Sequence, residues 1–180
     1  GRAPLGAAPP PGSPVTEAEW REVYVPLAHV VSLHVDAAVE LRRRLEASGL
    51  RGVGAGPVSI GVAGSVAGGQ TTCAAALATL LRARRDRPRV EVVSTDGFLR
   101  PNADLAANGL LARKGYPETY DRAAILEVLG ALAAGAQAVP VPAYSHVVYD
   151  IAGPPQILAR PDIVIVEGIN ALGDPIADFC

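Results

Sequence analysis

The stretch VSIGVAGSVAGGQTTCAAA, residues 58–76, leaves a chain few ways to fold. β-Branched residues (Val58, Val62, with Ile60 between) lead straight into Gly61, Gly64, Gly68 and Gly69, and these give way to alanine-rich helix formers. The order is strand, glycine loop, helix. From Gly64 to Thr71 the spacing is G-x-x-x-x-G-Q-T, the phosphate-binding pattern G-x-x-x-x-G-K-[ST] with Gln70 in place of its lysine. Glycines there let successive backbone N–H groups turn inward and form an anion nest at the positive end of the following helix. Gly64, Ser65, Val66, Ala67, Gly68, Gly69, Gln70, Thr71 and Thr72 are therefore the candidate nucleotide-binding residues, and Thr71 supplies the hydroxyl that such loops offer to Mg²⁺. Gln70 can donate a hydrogen bond but carries no charge against a transferring phosphoryl group. Taken alone, the stretch reads equally as a phosphate loop or as a tight turn.

At 180 residues the chain can bury a core as one domain. A net charge of −2 gives no basic footprint for nucleic acid, and no apolar run is long enough to span a membrane. Cys73 and Cys180 are too few and too far apart for a disulfide framework, which suits a cytoplasmic location. Pro4, Pro9, Pro10, Pro11 and Pro14 mark residues 1–15 as a disordered tail. With no Met, the sequence reads as a piece of a longer reading frame.

Thr16 and Glu19 form a capping box for a helix that Pro26 is expected to interrupt. A longer helix comes next, with Leu27, Val30, Val31, His34, Val35, Ala38, Leu41 and Leu45 on one buried face, ending near Gly49. Arg42, Arg43 and Arg44 read as its wet side. The helix after the glycine loop is expected over residues 71–84, with Cys73 a small filler in its first turn. RVEVVST, residues 89–95, is a strand that delivers Asp96 to its carboxyl end, where open α/β sheets bind ligands. Asp96 there is either a base for an attacking hydroxyl or the cap of the next turn. The prolines of VPVPAYSHVVYD, residues 139–150, exclude a central strand, and the rings of Tyr144, His146 and Tyr149 suit recognition of a polar small molecule or simple packing. DIVIV, residues 162–166, has the pattern of a strand buried on both faces, ending in Glu167, a carboxylate placed to orient Mg²⁺.

Together, EVYVPLAHVVSLHV, GVAGSVAGGQTT, STDGFLRPNADL, RKGYPETYDR, VPVPAYSHVVYDI and RPDIVIVEGINAL resemble the bacterial type I pantothenate kinases, of the P-loop kinase group that includes uridine kinase and phosphoribulokinase. The resemblance covers residues 16–180 as one kinase domain. It implies an α/β P-loop fold with a parallel sheet whose central strand starts at Val58. It also implies transfer of the ATP γ-phosphoryl group to pantothenate with Mg²⁺, feedback inhibition by coenzyme A, and a homodimer. By motif, Asp96 resembles the base on the pantothenate hydroxyl, Tyr144 and His146 the residues lining the pantothenate and coenzyme A region, and Thr71 and Glu167 the magnesium side. Where the family pattern has G-K-S-T-T-A-R, this chain has Gln70 for the lysine and Ala75 for the arginine. The resemblance also implies a large part after Phe179, without which Val58–Ala63 becomes an apolar edge strand. The rival readings are a pseudokinase that binds nucleotide or coenzyme A without turnover, and a kinase of another hydroxyl substrate such as a nucleoside.

Overall fold

In the computed structural model, residues 8–50, 55–65, 68–169, 171, 173 and 176 are described. Residues 1–7 of the proline-rich start and the loop residues Val66 and Ala67 fall outside them, as does Cys180. Thr16 caps the first turn, α1 (Glu17–Glu19): its hydroxyl accepts from the Glu19 amide at 3.2 Å while the Glu19 carboxylate accepts from the Thr16 amide at 2.9 Å. Thr16→Ala is expected to cost about 1 kcal/mol, read as a lower urea midpoint at unchanged slope.

Pro26 does not interrupt the helical path. A π-helical turn (Trp20–Tyr24) leads directly into α2 (Val25–Ala47), with Pro26 in its first turn. Proline lacks an amide and crowds the carbonyl four residues back, and the wider π turn removes that conflict without ending the helix. The buried face is also narrower than the periodicity suggests. Ala28 and Val35 are buried, whereas Leu27, Val30 and Leu41 are 37%, 52% and 58% exposed. Arg42 is not on the wet side; its guanidinium donates to the carbonyls of Gly56 at 2.6 Å and Pro57 at 3.0 Å and ties the helix to the entry of the next strand.

That strand, β1 (Val58–Val62), is followed by α3 (Gln70–Arg82) and β2 (Val90–Ser94). After a 3-10 turn (Thr95–Phe98) come α4 (Asn102–Ala107) and α5 (Arg122–Ala133). Two antiparallel ribbons then form, β3 (Ala138–Val141) with β6 (Gln156–Ala159) and β4 (Tyr144–Ser145) with β5 (Asp150–Ile151). β7 (Ile163–Glu167) closes the main sheet, which is parallel in the order β1-β7-β2. The strand from Val58 is thus at the sheet edge among the described residues, and β7 takes the centre. β7 is buried throughout, and alternation splits it between two cores. Ile163 and Ile165 face α3 with Trp20, Leu77, Leu80 and Leu81, while Val164 and Val166 face α5 with Phe98, Leu129 and Leu158. Register sets the working edge: Glu167 lies beside both Val62 and Ser94, so the segments leaving all three strands start at one level. No described helix is long and apolar enough to cross a membrane.

Candidate active site

Those three segments enclose a cavity of about 390 Å³ at the carboxyl edge of the sheet. Its walls are the start of α3 (Gly69, Gln70, Thr71, Thr72), Asp96 from the segment after β2, and Glu167 with Gly168 at the end of β7. Gly69 turns the chain into α3 at φ +82°, a left-handed value that glycine adopts at little cost, and the helix carries no side-chain cap. Its first amides are therefore open toward the cavity, the arrangement that favours an anion. Thr71 Oγ1 donates to the Glu167 carboxylate at 3.2 Å, and that carboxylate is buried at 4% exposure. A hydroxyl beside a buried carboxylate, with a second carboxylate in the same cavity, is an oxygen donor set that fits Mg²⁺.

Gln70 is committed elsewhere. Its Nε2 donates to the carbonyls of Gly64 at 2.8 Å and Ser65 at 2.9 Å, so both of its N–H groups are spent inside the loop. The gap at Gly64 is correspondingly small, since a Cβ there would come within 3.3 Å of the Gln70 side chain. Cys73 is half buried, and burial pushes its thiol up, consistent with a filler.

Asp96 lies in the 3-10 turn, where its amide donates to Ser94 Oγ at 3.4 Å; the capping oxygen belongs to Ser94, leaving the Asp96 carboxylate to the cavity. Gly97 allows the next approach: a Cβ on it would sit 2.4 Å from the Pro142 carbonyl. This contact brings β4 alongside the Asp96 turn. Tyr144 and His146 pack edge to face at 5.1 Å, and the Lys114 ammonium lies 5.1 Å from the Tyr144 ring centre. Lys114 Nζ donates to Asn102 Oδ1 at 2.6 Å and to the Tyr149 carbonyl, so its described contacts lie on the tyrosine side rather than in the glycine loop. Tyr149 joins the group through that carbonyl alone among its described contacts; its backbone has φ +53° and it is 67% exposed.

No sequence pattern singles out Tyr120. It is 4% exposed and bridges to Leu99, three residues after Asp96. Burial first, then the Asp96 charge, push its phenol up to about 12. A larger cavity of about 570 Å³ lies at the opposite edge of the sheet, but Arg42 and Arg89 in its wall are already held by the Gly56 and Pro57 carbonyls and by Asp162.

A strand, glycine loop and helix, with carboxylates at the ends of β2 and β7, match the parts that phosphoryl-transfer sites use. The model of the phosphoribulokinase/uridine kinase family matches residues 59–179. The chain belongs to this family. Within the family, it is 49% identical over 158 residues to the pantothenate kinase of Sorangium cellulosum strain So ce56, covering 87% of this chain and 51% of that one. It is 46% identical over 162 residues to the pantothenate kinase of Leifsonia xyli subsp. xyli, covering 89% and 50%. The chain spans about half the length of these curated relatives. A crystal structure from Silicibacter sp. TM1040, described as a fructose transport system kinase, superposes with a TM-score of 0.62 at 28% identity, covering 69% of this chain and 62% of that one.

Proposed function

We propose that the protein phosphorylates pantothenate from ATP, the first step of coenzyme A synthesis, in the cytoplasm. The observation that carries this is the convergence of Thr71, Asp96 and Glu167 on one cavity at the end of a parallel sheet, in a chain with relatives named pantothenate kinases. In this reading the loop amides and the start of α3 hold the ATP phosphates. Thr71 and Glu167 hold Mg²⁺, which would offset phosphate charge when bound. Asp96 accepts the proton of the pantothenate hydroxyl as that oxygen bonds to the γ-phosphorus and ADP leaves with the electron pair of the broken bond. Tyr144, His146 and the Tyr149 backbone line the side from which pantothenate enters.

Coenzyme A is the proposed feedback inhibitor. A homodimer is proposed on the exposed line Leu27, Val30, His34 and Leu41, whose spacing of three, four and seven residues suits a helix-to-helix seam. A non-catalytic nucleotide or coenzyme A binder is the second reading, and the engaged Gln70 amide favours it. Calorimetry with ATP and Mg²⁺, run beside a coupled ADP-release assay, separates them. ADP release that depends on pantothenate and not on uridine, with coenzyme A competing against ATP and light scattering giving a dimer's mass, is the expected result. Binding with no release under any substrate would leave the pseudokinase.

A further inference from the structure

We propose that Asn102 is a positioning residue, its side-chain amide clamping the β4–β5 hairpin and so fixing the rings of Tyr144 and His146 on the proposed substrate side. Its bearing on turnover rests on the pantothenate reading, but the clamp itself can be measured without any substrate.

The hairpin has little of its own to hold it in place. β4 and β5 pair through two residues each, Tyr144 with Ile151 and Ser145 with Asp150, and so short a two-stranded ribbon is marginal in water. Its tip buries little: Val147, Val148 and Tyr149 are 89%, 57% and 67% exposed. Tyr149 also has φ +53°, a left-handed value that a bulky residue keeps only where its surroundings hold it.

Those surroundings are Asn102 and the lysine it pairs with. The Asn102 backbone amide donates to Asp150 Oδ1 at 3.1 Å, and its side-chain Nδ2 donates to the Tyr149 carbonyl at 3.1 Å. Lys114 Nζ donates to Asn102 Oδ1 at 2.6 Å and also to the Tyr149 carbonyl. A carbonyl only accepts and an ammonium only donates, so a side chain that bridges them needs a donor and an acceptor side by side. An asparagine amide supplies both. An aspartate of the same shape keeps the acceptor for Lys114 but turns a second acceptor toward the Tyr149 carbonyl.

The anchor is rigid where the hairpin is not. Asn102 opens α4, which is seated by Leu105 at 0% exposure, and the Leu110 amide closes this short helix on the Leu105 carbonyl at 2.7 Å. The clamp also reaches the rings. Lys114, held by Asn102, lies 5.1 Å from the Tyr144 ring centre, and that ring meets His146 edge to face at 5.1 Å. One amide thus ties the tip, the lysine and the ring pair to a buried helix. A wall that is ordered before the substrate arrives spares binding the cost of ordering it.

The test compares the wild type with Asn102→Ala and Asn102→Asp by hydrogen exchange and steady-state kinetics. Exchange of the amides of residues 145–151 is expected to be about tenfold faster in Asn102→Ala, with residues 163–167 unchanged. The KM for pantothenate should rise about tenfold in both variants, with kcat and the KM for ATP near their wild-type values. Asn102→Asp keeps the shape of the side chain and its Lys114 contact, so its urea midpoint should hold while that KM rises. Hairpin exchange that stays at the wild-type rate in a folded Asn102→Ala overturns the clamp. A pantothenate KM that does not move, or that rises together with the KM for ATP, overturns the positioning role. A wild type that neither turns over nor binds pantothenate sinks the functional reading and the positioning role with it, and the exchange still decides the clamp.

Discussion

Replacing Gln70 with lysine is expected to raise pantothenate-dependent ADP release by about a hundred- to a thousandfold, the usual worth of one stabiliser of developing charge. The gain has two sources. Lysine restores a cation where negative charge spreads over the transferring group, and it removes a competitor, because the Gln70 amide now spends both donors on the Gly64 and Ser65 carbonyls. For Gln70 to reach a phosphate, those two bonds must first break. An ammonium keeps three donors and can serve a carbonyl and a phosphate together. Weaker ATP binding by the wild type than by Gln70→Lys in calorimetry would agree with this account. A lysine variant that binds ATP, folds normally and gains no turnover would show that the rate is limited elsewhere in the site.

Gly168→Ala is expected to destabilise the fold by about 2–6 kcal/mol, adding about 1–3 for overpacking to about 1–3 for backbone strain. Gly168 has φ +139°, and a Cβ there would lie 1.9 Å from Thr95 Oγ1 and 3.0 Å from Thr95 Cβ. Thr95 cannot step aside easily, since it is 1% exposed and starts the turn that presents Asp96. The ends of β7 and β2 are thus pressed together so closely that no room is left for a methyl group between the strand end carrying Glu167, the proposed magnesium-side carboxylate, and the turn carrying the proposed base. Thr95 Oγ1 also has no hydrogen-bond partner among the described residues, so removing it has a small cost of its own. Urea unfolding of Gly168→Ala, Thr95→Ala and the double variant checks the account. The double variant should recover part of the loss, and strictly additive losses would place the strain in the backbone alone.

The glycine loop, the helix after it and the strands that end at Ser94 and Glu167 are legible in the sequence because each is set locally: glycines where φ turns positive, β-branched runs between polar ends. Their meeting at one edge is legible too, since parallel strands deliver their carboxyl ends to the same side. Strand order is not. β1 and β7 are both short and apolar, and which of them lies in the middle depends on pairing across more than a hundred residues of sequence. The periodicity of α2 misleads because two neighbouring apolar lines run along the helix; the sheet side takes the one with small Ala28, and Leu27, Val30 and Leu41 are left outside. The burial of Tyr120 is invisible for a different reason. In KGYPETYD it has no periodic neighbour, and Leu99, to which it bridges, lies past a turn whose path only the packed structure fixes. Tyr149 reads in sequence as a third ring of a site; in the structure its side chain is 67% exposed and its carbonyl accepts from Asn102 and Lys114.

The order β1-β7-β2 also dictates when the sheet can exist during synthesis. Among the described residues β1 and β2 are not partners of each other, and the ladder bonds each makes run to residues 162–168. A nascent chain that has released both strands from the ribosome still lacks the partner each of them has among the described residues, a strand made about seventy residues after β2. Assembly of the edge that carries the candidate site therefore waits on β7, which arrives between two earlier strands and brings Glu167 to Thr71 in the same motion.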